Sequence, residues 1–144
     1  MLRLMKKLNQ NDVEEAYKRI LKWVRITPII RMQGPGARPI IIKLEGLQRS
    51  GSFKLRGALN KLISLGSKTQ SGVIAASGGN HGLGLAWAGW LTGVTVKVFV
   101  PSTTPTFKRH RLEQTNAEVV YVDGGYAEAE AAARQDAHMT SKPY

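Results

Sequence analysis

Three short apolar runs, each followed by a stretch with helical spacing, constrain this chain more than anything else in it. Gly72–Ala76 is a predicted strand leading to a helix over His81–Leu91. Val94–Val100 ends at Pro101 and leads to a helix over Pro105–Asn116, with a proline well placed for its first turn. Glu118–Val122 ends at Asp123-Gly124-Gly125 and leads to an Ala/Glu-rich helix over Tyr126–Met139. Strand and helix alternating at this spacing argue for parallel strands joined by right-handed crossovers. The expected fold class is α/β, a parallel sheet with flanking helices. No internal repeat interrupts the pattern, and Gly34-Pro35-Gly36 reads as a loop.

Upstream of the alternation lies a lysine on a glycine turn. Ile40-Ile41-Ile42-Lys43-Leu44-Glu45 is β-branched and apolar, which predicts a buried strand. Leu55, Ala58, Leu59, Leu62 and Ile63 recur at helical spacing. Between them, Gly46, Ser50, Gly51 and Ser52 suit a sharp bend with a helix cap. Lys54 then opens the helix, near the positive end of its dipole, where added positive charge is disfavoured. An amine in that setting is a candidate for Schiff-base chemistry. Arg56, two residues on, reads as structural.

A second candidate is Ser77-Gly78-Gly79-Asn80-His81-Gly82, at a strand's carboxyl end and a helix's amino end. Ligands bind there in open α/β sheets, and adjacent glycines let backbone amides approach an anion. The glycine order is not that of a dinucleotide loop. His81, His110 and His138 show neither a catalytic-triad nor a metal-ligand spacing, so no metal is expected and His81 reads as packing or capping locally. Gly82, Gly84 and Gly89 are expected to allow close packing on the sheet. Trp87 and Trp90 read as core or interface, and Lys108, Arg109 and Arg111 as solvated.

Composition enters through charge. The chain of 144 residues carries a formal +11. Residues 1–68 hold fifteen basic and four acidic residues and residues 69–144 hold six of each, so the excess lies wholly in the first half. Lys18, Arg19, Lys22 and Arg25 fall in one apparent helix with Ile20, Leu21 and Trp23. The basic residues are interspersed with apolar ones and accompany no nucleic-acid motif, which argues for solvated faces and no nucleic-acid partner. No run of 18 apolar residues exists, so no membrane span is expected, and Met1–Leu8 lacks the apolar stretch of a signal peptide. The absence of cysteine fits a cytoplasmic protein.

Thr27-Pro28, Lys43-Leu44-Glu45, Ser50–Ala58 around Lys54, and Ser77–Gly82 occur in order, and from about Val13 onward the chain resembles the serine/threonine dehydratase family of pyridoxal-phosphate enzymes, with the tryptophan synthase beta-like fold. Related β-replacement enzymes usually carry an aspartate where Leu55 stands. The resemblance implies an incomplete copy of a two-domain fold-type II enzyme, with 1–66 opening the larger, cofactor-binding domain and 67–144 forming the smaller one. It implies pyridoxal 5'-phosphate linked to Lys54 as a Schiff base, Phe53 beside its ring, and Asn80 bonded to its phenolic oxygen. Ser77, Gly78, Gly79, Asn80 and His81 would hold an amino-acid substrate.

The implied reaction converts L-threonine or L-serine to a 2-oxo acid and ammonia. A homo-oligomer is implied for a full-length form. Racemisation on the same scaffold is an alternative, but resembled racemases place a serine where Gly78 stands; an inactive truncated remnant is another. The family's phosphate-binding glycine run is expected downstream of Tyr144. The 144 residues alone are therefore expected to bind the cofactor weakly and to lack dehydratase activity.

Overall fold

The structure is a computed structural model that describes residues 7–144, so most of the Met1–Leu8 stretch lies outside the described residues. In chain order the main elements are α1 (Gln10–Ile20), β1 (Ile29–Gln33), β2 (Pro39–Lys43), α2 (Lys54–Leu65), β3 (Val73–Ala76), α3 (Asn80–Thr92), β4 (Val96–Pro101), α4 (Thr106–Glu113), β5 (Glu118–Val122) and α5 (Tyr126–Thr140). The class is α/β, and the three alternating strands form one parallel sheet in the order β3-β4-β5.

Period-two alternation divides the sheet into two buried faces. Val73, Ala75, Val96, Val98 and Val100 point to one side, where Leu55, Leu59 and Leu62 of α2 join Leu83, Ala86 and Ala88 of α3 and Leu112 of α4. Ile74, Ala76 and Phe99 point to the other and meet the alanine stripe Ala129, Ala133 and Ala137 of α5. Lys97, on that second side, lies 3.0 Å from Glu118 and 3.2 Å from Asp136, which satisfies an ammonium between β5 and α5. The free edge of β3 makes one bond, from the Ile74 amide to the Pro143 carbonyl at 2.9 Å.

The aliphatic run at Ile40–Ile42 is a strand, but not a buried one. β2 pairs antiparallel with β1, a strand the sequence did not suggest, in register Ile30 to Ile42 and Met32 to Ile40. Ile29, Ile41 and Met32 are 61%, 63% and 49% exposed. A continuous β-branched run normally marks a strand covered on both faces; this hairpin stands apart from the parallel sheet and its core. The basic helix ends at Ile20, so Lys22 and Arg25 lie beyond it.

Glycines set how closely α3 packs. A Cβ at Gly89 would overlap Val96 and lie 2.6 Å from the Val94 carbonyl. Gly84 faces α2 rather than the sheet: a Cβ there would be 3.0 Å from the Lys54 carbonyl carbon. Gly57, inside α2, has open space around it. Gly89→Ala is therefore expected to lower unfolding free energy by about 1–3 kcal/mol through overpacking. Gly57→Ala should raise it by about 0.5–1 kcal/mol through helix propensity. Urea titration of the two variants checks the opposite signs, and equal effects would refute the packing argument.

Candidate active site

The turn before Lys54 is built from the inside outward. Ser50 and Ser52 are buried, and Gly51 takes φ +74°, a left-handed conformation that favours glycine. Its amide donates to the Gln48 carbonyl at 2.8 Å. No serine caps α2: the Ser50 hydroxyl instead donates to the Ser52 carbonyl at 3.2 Å, and Ser52 Oγ has no partner among the described residues. Lys54 is the first residue of α2, exposed, with Nζ 5.1 Å from the centre of the Phe53 ring.

A polar network braces the far side of this turn. Arg56 Nε and Nη2 donate to the two carboxylate oxygens of Glu45 at 2.8 and 2.7 Å. Thr27 Oγ1 donates to Glu45 at 2.6 Å, and Lys43 Nζ donates to Thr27 Oγ1 at 2.7 Å. The Arg56 hydrogen bonds hold the Glu45 carboxyl at about 2, against an ordinary 4.5. Arg56 is structural, as its sequence position suggested.

At the amino end of α3, Ser77 Oγ accepts from the Gly79 amide at 3.2 Å and the Gly82 amide at 3.0 Å. The first-turn amides of Asn80 and His81 have no carbonyl one turn back within the helix. A Cβ at Gly78 would overlap the Thr104 hydroxyl and lie 3.1 Å from its methyl.

The predicted residues other than Ser77 fall in two cavities rather than one. The larger, of about 400 Å³, is bordered by Phe53, Lys54, Gly57, Lys61, His81 and Tyr144. Gly78, Gly79 and Asn80 line a much smaller one with Lys108, Arg109 and Arg111. His81 is thus not merely a local cap; it faces the lysine's cavity, where partial burial and then the charge of Lys54 push its imidazole below the usual histidine range.

Of the cations read as solvated, Arg111 is exposed as expected, and both it and the half-buried Arg109 also make a specific contact. The Arg109 guanidinium lies 5.4 Å from the Tyr121 ring centre, and Arg111 Nη2 donates to the Ser50 carbonyl at 3.2 Å. Local spacing could not reveal Arg111, because 61 residues separate the partners.

Residues 20–144 match the family model described as pyridoxal-phosphate dependent enzyme. This chain belongs to that family, and its cofactor is pyridoxal 5'-phosphate.

Among relatives, an L-threonine ammonia-lyase from Geobacter sulfurreducens is 42% identical over 127 residues, covering 85% of this chain and 32% of its own length. A serine racemase from Bos taurus is 36% identical over 117 residues, covering 76% of this chain and 35% of its own. The structure of the processed form of threonine deaminase isoform 2 from Solanum lycopersicum superposes with a TM-score of 0.78 at 28% identity, over 95% of this chain and 43% of that one. The chain spans about a third of the length of the curated relatives it matches.

The residues present fit the reactive end of this family's cofactor: an exposed amine and an aromatic ring border a cavity of small-molecule size. Among the described residues, the two glycine pairs have amides already taken by side chains, which makes them poor cradles for its phosphate. Glu128 accepts from the Gly125 amide at 2.7 Å and sets a carboxylate at the start of α5, and Ser77 takes the Gly79 amide.

Among the described residues no helix is long and apolar enough to cross a membrane.

Proposed function

We propose that this segment belongs to a threonine/serine ammonia-lyase, with Lys54 as the residue that holds the cofactor and later moves the substrate's Cα proton. Residues 1–66 would open the larger domain and 67–144 form the smaller one. When bound, the cofactor supplies an electron sink that acidifies the substrate's Cα–H and promotes loss of a β-hydroxyl. Lys54 would hold it by its amine, with Phe53 beside the ring and Asn80 donating to the ring's oxygen. Once freed by an incoming amino acid, the Lys54 amine takes the Cα proton. The Ser77–His81 loop holds the substrate carboxylate, its first-turn amides and helix dipole favouring an anion. The net change turns a β-hydroxy amino acid into a 2-oxo acid and ammonia.

The observation that carries lyase over racemase is Gly78. Racemisation needs a second proton donor on the opposite face of the ring, and Gly78 has no side chain to provide one. Thr104, only 8% exposed, fills the space a serine would need. Gly78→Ser is expected to destabilise the fold by about 1–3 kcal/mol through overpacking. Adding Thr104→Ala should restore most of that loss; denaturant titration of the single and double variants decides it.

The activity itself is tested by product analysis on the longest natural form of the protein containing this segment, loaded with cofactor. A 2-oxo acid and ammonia from L-threonine or L-serine are expected. D-serine formed in excess over 2-oxo acid would favour the racemase reading. Residues 1–144 alone are expected to show no turnover, because their described glycine pairs leave the cofactor phosphate without a cradle.

A further inference from the structure

We infer that Arg111 is a positioning residue for Lys54, clasping the lysine turn to helix α4. This rests on the reading of Lys54 as the cofactor-holding residue. Arg111 leaves the last turn of α4 and reaches the Ser50 carbonyl at 3.2 Å, four residues before the lysine. Ser50 itself is only 1% exposed, so the clasp ends on a buried residue of the turn. The next residue confirms how closely the guanidinium lies: a Cβ on Gly51 would be 2.7 Å from Arg111 Nη2. Gly51 is favoured for its positive φ, and its missing side chain leaves the room that the guanidinium tip occupies.

The same arginine borders the small cavity lined by Gly78, Gly79 and Asn80. It therefore reaches the turn that presents Lys54 and borders the cavity of the loop at the start of α3. Glu45 and Arg56 brace the turn from the opposite side, at the residue two beyond the lysine. With one arginine on each side, Lys54 begins its helix from a turn pinned at Ser50 and at Arg56. Loosening the Arg111 side leaves the fold's core untouched, since α4 contributes to it through Leu112. The expected loss is one of placement, not of folding.

Arg111→Met removes the donor while keeping the aliphatic stem, and Arg111→Lys keeps a donor at that position. Without cofactor, hydrogen exchange of the amides of residues 49–53 should quicken roughly tenfold in Arg111→Met, the effect of losing one charge-assisted hydrogen bond. Exchange in α3 and α5 and the circular dichroism should stay unchanged. With pyridoxal phosphate added, the rate at which Lys54 becomes trappable by borohydride should fall by a similar factor, and Arg111→Lys should recover part of it. Unchanged exchange in the turn overturns the clasp. Faster exchange with an unchanged trapping rate overturns the positioning role. If the unsubstituted chain traps cofactor at another lysine, the reading of Lys54 falls and takes this inference with it; the exchange result separates that failure from the others.

Discussion

Lys54→Ala is expected to abolish the borohydride-trapped link between this chain and pyridoxal phosphate, while leaving the fold intact. The side chain is exposed, and its removal opens no cavity in the core, so circular dichroism and thermal unfolding should be close to those of the unsubstituted chain. Three other features make the assignment testable. Lys61 borders the same cavity as Lys54 and is the competing amine. Lys43 is occupied, donating to the Thr27 carbonyl at 2.9 Å and to its hydroxyl at 2.7 Å. Lys54 alone of the three opens a helix, with its backbone pressed on Gly84 and its amine over Phe53. Peptide mapping after reduction should place the label on Lys54, Lys61→Ala should keep it, and Lys54→Arg should lose it, because a guanidinium does not form the link. A label on Lys61 or Lys43 would end the assignment. The expected effect is loss of the mapped label at Lys54, with Lys61 as the amine that would carry it if the assignment were wrong.

The parallel sheet and its helices were legible because their periodicities are local. Val73–Ala76, Val96–Pro101 and Glu118–Val122 lie within two residues of the predicted runs at every boundary. Lys54 also sits where the glycine turn placed it, at the first residue of a helix. What local patterns could not show is which surfaces meet. Ile40–Ile42 carries the composition of a covered strand, yet composition does not say whether a covering layer is present, and the hairpin with β1 stays exposed. Gly78 reads in the sequence as a glycine that lets backbone amides approach an anion; its steric constraint comes from Thr104, twenty-six positions away on another loop. Arg111 looked like one of three solvated cations on a short helix, and only the fold brings it to Ser50. The division of the predicted site between two cavities has the same origin. Spacing places Lys54 at one helix start and Asn80 at another, whereas the crossing of α2 on α3 decides which wall each side chain joins.

The second large effect concerns the brace behind the lysine. Glu45 and Arg56 form a bidentate pair whose side chains are only 15% and 23% exposed, so the interaction is screened far less than a surface ion pair. The Arg56 hydrogen bonds, with smaller contributions from Thr27 and Lys43, lower the Glu45 carboxyl to about 2 from an ordinary 4.5. A depressed carboxyl stabilises the fold above its unfolded-state value, where both forms are ionised and the folded one is favoured. Below that value the unfolded chain binds the proton first, so stability falls as pH drops from about 4.5 towards about 2. The contribution at neutral pH is about 1–3 kcal/mol, after allowance for partial solvent access.

Urea titrations at neutral and acid pH should therefore show a steep acid loss in the unsubstituted chain and a flatter one in Glu45→Gln. Arg56→Met should be worse than Glu45→Gln at neutral pH, costing about 2–4 kcal/mol, because it leaves a largely buried carboxylate without its main partner. Acidification should narrow the gap between the two variants, since protonating Glu45 relieves the charge that Arg56→Met strands. If the two variants instead stay equally apart at every pH, the pair contributes through packing alone. The turn that presents Lys54 would then be held by its buried serines and by Arg111, with no electrostatic brace behind it.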